Sequence, residues 1–132
     1  MTDTPMVPVS WGELLDKITI LQIKAERLAD ADKRANVAAE LTLLSQIAGA
    51  ARQQAAALTA ELKAVNESLW EIEDRIRDKE AAQAFDDEFI RLARSVYVTN
   101  DRRAAIKRQI NRLLGSKLVE EKSYRPYTAG AK

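Results

Sequence analysis

From Val37 to Ile76 apolar residues recur at alternating steps of four and three: Val37, Leu41, Leu44, Ala48, Ala51, Ala55, Leu58, Leu62, Val65, Leu69, Ile72 and Ile76. The phase never slips. A stripe of this kind stays on one side of a helix and requires another helix packed lengthwise against it, which leaves few folds open. The stripe crosses Gly49 unchanged, and one glycine inside a helix costs only about 1 kcal/mol relative to alanine. The pattern therefore favours a single helix over residues 33–79, roughly 70 Å long at about 1.5 Å per residue. The alternative is a break near residue 49, because "AGA" (48–50) is also what a tight corner between two helices requires.

Two further helices flank this segment. Ser10 followed by Glu13 is a capping box, which predicts reciprocal side-chain bonds to the first free amides of a helix over about 10–29. Trp11, Leu14, Ile18, Leu21, Ala25 and Leu28, widened by Leu15, form its stripe. Asp30 or Asp32 caps the next helix. The last helix spans about 86–114, capped by Asp86 or Asp87 and closed by Gly115 in a left-handed C-cap. Pro5 and Pro8 make residues 1–9 an extended lead-in. Residues 117–132 read as an extended tail, anchored by Leu118, Val119, Tyr124 and Tyr127. The expectation is an all-α chain with one helical domain over 10–116, built of antiparallel helical hairpins in a coiled-coil-like bundle. If the two shorter helices fold back on the two halves of the long one, flanking faces stay open. A homodimer would then complete a four-helix cross-section.

Composition narrows the chemistry. Cysteine and histidine are absent, which removes disulfides, thiolate chemistry, Ser-His catalysis and the usual zinc ligands. No metal site, cofactor or catalytic residue is expected, and an enzyme is not the favoured reading. Lys and Arg number 21 against 20 Asp and Glu, so no global field draws nucleic acid or anionic lipid. The basic run Arg102, Arg103, Lys107, Arg108 and Arg112 lacks the interleaved aromatics of a nucleic-acid surface. "MTDTPMVPVS" (1–10) does not read as a signal peptide, and no segment has the roughly 20 apolar residues of a membrane helix. A cytoplasmic location without membrane insertion is expected.

The last helix contains one anomaly. Its seam runs Phe85, Phe89, Leu92 and Val96, then Thr99 and Arg103, and resumes at Ile106, Ile110 and Leu113. An arginine on a buried seam must be paired. If the last helix folds back on the long one, its partner is Glu67 or Glu61, Asn66 meets Asn100 or Asp101, and Glu73 meets Arg94. Arg103 would then be a charge that fixes register. The functional reading leaves Arg103 open to an anion, with Lys107 one turn on. Asn66, Trp70, Glu73 and Arg77 form a second stripe beside the seam. In a compact bundle Lys17, Lys24, Arg103 and Lys107 could surround one anion. The candidate anion-binding or polar-layer residues are Lys17, Lys24, Asn66, Glu73, Arg77, Asn100, Arg103 and Lys107.

"SWGELLDKITILQIK" (10–24), "VNESLWEIEDRIR" (65–77), "FIRLARSVYVTNDRRAAIKRQIN" (89–111) and "GSKLVEEKSY" (115–124) resemble an uncharacterised bacterial family of small helical domains of unknown function. The resemblance implies a bacterial cytoplasmic protein, accompanying sugar-transfer or surface-polysaccharide machinery, and carries over no catalytic residue. "ELLDKITILQIKAERL" (13–28) also resembles the first helix of the all-helical chorismate mutases, without the arginine expected early in that helix. The favoured function is a non-enzymatic helical protein–protein interaction module, paired with itself or with a partner's helix. The alternative is a small-anion-binding bundle for a carboxylate or phosphate, an isomerase of the chorismate-mutase kind.

Overall fold

A computed structural model describes residues 3–127. The described residues contain helices and irregular segments only: α1 (Trp11–Arg27), α2 (Ala31–Ala48), the one-turn α3 (Ala51–Gln54), α4 (Ala56–Ala81) and α5 (Asp87–Leu114). The fold is all-α, as the periodicity requires.

The long stripe is not one rod. α2 ends at Gly49, which adopts φ +53° and ψ −134°, a backbone conformation natural only to glycine. α3 and the irregular Ala55 complete the corner, and α4 leaves in the opposite direction. Phase is preserved for a reason that the periodicity alone does not reveal. Ala48 and Ala55 both enter the core cluster with Leu15, Ile18, Leu62, Val65, Ile106 and Ile110. Both limbs of the corner pack on the same helix, α1, so their apolar faces stay in step although the axis does not.

Helix ends follow local chemistry. Ser10 Oγ accepts from the Glu13 amide at 3.1 Å, Asp30 Oδ1 from Lys33 at 3.0 Å and Asp86 Oδ1 from Phe89 at 3.1 Å. The first helix is therefore 11–27 rather than 10–29, and the second begins at 31 rather than 33. The expected return bond from Glu13 to its cap is replaced by an ion pair to Lys107. Gly115 takes the left-handed C-cap, and the Ser116 amide reaches back to the Asn111 carbonyl at 2.8 Å.

α1 is the central element. It runs parallel to α4, since Thr19 meets Asn66 and Arg27 meets Glu71, and antiparallel to α5, since Gly12 meets Asn111 and Asp16 meets Arg103; the short link over residues 28–30 turns α2 back along it, where Glu40 meets Lys17. Gly12, Leu15, Asp16, Ile18, Thr19, Leu21 and Ile23 are all buried, which distributes its covered positions around most of the circumference. Three helices, α2, α4 and α5, thus pack around α1 within one chain. α4 and α5 continue past the end of α1, where Arg27 meets Glu71. The two helices project for roughly ten further residues, about 15 Å, as a hairpin arm. Arg75–Glu88, Lys79–Asp86 and Lys79–Glu88 tie its flanks.

After Gly115 the tail runs back along α5. Of its expected apolar anchors, Leu118, Val119 and Tyr124 stay exposed, whereas Tyr127, half-exposed, does pack on α5. It is held by Ser116, which accepts from the Trp11 amide at 3.1 Å, by Glu120 on Lys107, and by Tyr127 against Tyr97 with ring centroids 5.0 Å apart. Leu113 is also exposed, and Leu114 packs on the core in its place.

Candidate functional site

The polar positions of α5 meet α1, not α4 as folding the last helix back on the long one would require. Asp16 is 2 % exposed. Arg103 Nε donates to its Oδ1 at 3.0 Å, and Arg103 Nη2 donates to Oδ2. Asn66 Nδ2, from α4, donates to Asp16 Oδ1 and to Thr19 Oγ1, both at 2.9 Å. Thr19 Oγ1 donates to the Asp16 carbonyl at 2.7 Å. A buried charge is tolerated only when it is paired and hydrogen-bonded, and among the described residues no buried side-chain polar atom lacks a partner. Glu67 and Glu61 do not hold Arg103: Glu67 lies 3.6 Å from Arg27, and Glu61 is exposed.

One turn along α5, Lys107 donates to Glu13 at 2.8 Å and to Glu120 of the tail at 2.9 Å, with Asp16 Oδ2 at 3.9 Å. A further turn on, Asn111 Oδ1 accepts from the Gly12 amide at 2.7 Å. Gly12 permits this approach, since a Cβ there would lie 2.7 Å from the Lys107 carbonyl oxygen. Arg103, Lys107 and Asn111 thus lock the register of α1 on α5.

The electrostatics reflect the pairing. Hydrogen bonds to Asp16 are the main cause that raises the Arg103 pKa above its ordinary value. Burial is the largest influence on Lys107 and pulls its pKa down; hydrogen bonds to Glu13 and Glu120, with the charge of Asp16, outweigh it and leave the pKa raised. The hydrogen bond from Lys107 lowers that of Glu120. Two hollows share Arg103. One, of about 180 Å³, is polar and lined by Asn100, Arg103, Lys107, Lys122, Glu13 and Glu120. The other, of about 300 Å³, is a mostly apolar groove along Ile20, Ile23, Leu69 and Trp70, with Asn66 and Arg103 also lining it.

Of the sequence candidates, Asn66, Asn100, Arg103 and Lys107 lie along this region. Lys17 pairs instead with Glu40 of α2 at 2.8 Å, and Lys24 lines neither hollow. Glu73 pairs with Arg77 at 3.8 Å on an exposed face, not with Arg94, although Glu73 also borders the groove. Asn66 reaches Asp16 and Thr19 rather than Asn100 or Asp101. Asp16, Thr19, Asn111 and Glu120 were not legible as site residues. For the first two a signal existed: Leu14, Leu15, Ile18, Ile20, Leu21 and Ile23 surround nearly the whole circumference of α1, so polar residues between them are enclosed.

Fold and site define a small all-α domain whose central helix is pinned by a buried Asp–Arg–Asn cluster. The chain belongs to a family of unknown function, DUF6165, whose family model matches residues 6–130. No curated protein and no solved structure matches the chain. Among the described residues no group of side chains is arranged to hold a metal ion, and no helix is long and apolar enough to cross a membrane.

Proposed function

We propose that the chain is a non-enzymatic helical interaction module that associates through the α4–α5 arm, with a second copy of itself as partner. The supporting observation is the surface of the arm. Phe85 and Ile90, near its tip, are 54 % and 52 % exposed. Phe85 meets Phe89 edge-on with centroids 5.2 Å apart, and beyond the arm Val98 is exposed on α5, while Tyr97 is partly covered by Tyr127. Clustered large apolar side chains mark contact surfaces. The arm also carries both signs of charge, Arg75 and Lys79 against Asp86 and Glu88. Because these charges are already matched within the arm, two copies can meet across a two-fold axis without net repulsion, and the net charge of +1 adds little.

The setting we assign is the bacterial cytoplasm, beside surface-polysaccharide or sugar-transfer machinery; this part of the proposal is carried by the sequence resemblance. Sedimentation equilibrium tests the self-association. A dimer should form at concentrations of about 1–100 µM, a range typical of modest affinities. Phe85→Ser with Ile90→Asp should give a monomer of unchanged helicity. A wild-type protein that stays monomeric throughout that range would overturn the reading.

A further inference from the structure

Glu13 and Glu120 close on the same ammonium from supports of different strength. Glu13 stands on the first turn of α1, which is fixed by the Ser10 cap and by the bond from Gly12 to Asn111. Glu120 comes from an irregular segment whose neighbours Leu118, Val119 and Tyr124 are exposed, and its own side chain is 42 % exposed. Beside it lies the polar hollow of about 180 Å³, whose lining includes the donor-bearing side chains Asn100, Arg103, Lys107 and Lys122, with Arg103 Nε and Nη2 committed to Asp16. Glu120 is thus a carboxylate seated among donors with unfilled space next to it, and a partly exposed ion pair holds it only weakly.

Charge matching defines what else fits there. Arg103 is matched by Asp16, Lys107 by Glu13, and Lys122 by Glu120 at 3.5 Å. When the Glu120 side chain turns out to solvent, the hollow keeps its donors and carries one uncompensated positive charge. An incoming monoanion restores neutrality, whereas Glu13 at the rim opposes a second negative charge.

We infer that this hollow is a receptor for the carboxylate of a small monocarboxylic acid, and that Glu120 occupies it in cis as a displaceable stand-in. The site does not depend on the arm, so it stands or falls separately from self-association.

The test is a titration of the full chain with sodium acetate against sodium chloride at matched ionic strength and neutral pH. It is followed by NMR of the Asn100 side-chain amide and the Arg103 Nε–H. An intrinsic competitor docked for about nine-tenths of the time weakens apparent affinity about tenfold. Glu120→Gln should therefore bind acetate about tenfold more tightly than the wild type, with saturation. Adding Lys107→Gln should abolish the shifts. Adding Lys122→Gln instead, on the exposed tail, should weaken them without any risk to the core. Equal affinity in wild type and Glu120→Gln would overturn the stand-in role. Shifts that never saturate, or that inorganic phosphate reproduces equally, would overturn the monocarboxylate site.

Discussion

Replacing Gly49 by L-alanine should destabilise the protein, and replacing it by D-alanine should stabilise it. Gly49 closes α2 at φ +53° and ψ −134°. An L-residue held in such a sparsely populated region costs on the order of 1–3 kcal/mol. Space is not the obstacle, because a Cβ would meet nothing nearer than the Gln46 carbonyl oxygen at 3.8 Å. Alanine also restricts the unfolded chain, a gain of about 0.4–1 kcal/mol. The two together give a net loss for L-alanine centred on about 1 kcal/mol and reaching at most about 2.6 kcal/mol. D-alanine has mirror-image backbone preferences, so it keeps the entropic gain of about 0.4–1 kcal/mol and escapes the strain. Urea unfolding measures both. With a slope of about 1–3 kcal/mol/M, the midpoint should fall by roughly 0.5–1 M for L-alanine and rise by a few tenths for the D-isomer. A continuous helix through residue 49 makes the opposite prediction for L-alanine, a gain of up to about 1 kcal/mol. A raised midpoint for Gly49→Ala at unchanged slope would refute the corner, and with it the placement of α1 beside α5.

The site and the arm carry three further expected outcomes. Arg103→Leu alone strands a buried carboxylate and should cost about 3–5 kcal/mol, while the double variant with Asp16→Leu should recover most of that loss, because replacing both members of a buried pair removes the desolvated charges together; a single variant as stable as wild type would sink the assignment. Gly12→Ala drives a Cβ against the Lys107 carbonyl at 2.7 Å, a backbone atom that yields little, and should cost about 1–3 kcal/mol and break the Gly12–Asn111 bond, visible as faster exchange of the Gly12 amide. The arm should loosen in acid: hydrogen bonds from Lys79 and Arg75 hold the Asp86 and Glu88 carboxyls below their usual values, so the stabilisation is complete above the ordinary carboxylate range and is lost as pH falls through the depressed values. At the alkaline end, Lys79 is raised chiefly by its bond to Asp86, so its share persists below its ordinary value and disappears as pH rises through the raised one. Carbon chemical shifts of residues 72–96 across pH read this directly, and arm shifts indifferent to pH 3 would refute it.

What local chemistry settles was legible in the chain. Ser10 and Asp86 cap helices and Gly115 closes one, because those bonds span three to five residues and need no distant partner. The stripe from Val37 to Ile76 marked the face that would be covered, since burial imposes its period whatever covers it. The polar interruption at Thr99 and Arg103 was likewise visible, as was the need to pair the arginine.

Which element does the covering is another matter, and only the tertiary structure decided it. Gly49 costs little in a helix and is required at a corner, so one residue is compatible with a rod or a turn. The choice falls to α1, which offers a single apolar surface that both limbs of the corner can share. That choice sets every long-range pair. Arg103 finds Asp16, distant in sequence, in place of Glu61 or Glu67. Lys17 turns to α2, and Glu120 reaches Lys107 because a left-handed cap at Gly115 sends the tail back along α5. Periodicity along a chain records how much of each helix is buried and on which side. The identity of the neighbour depends on where the turns direct the axes, and a few backbone angles at Gly49 and Gly115 carry that information.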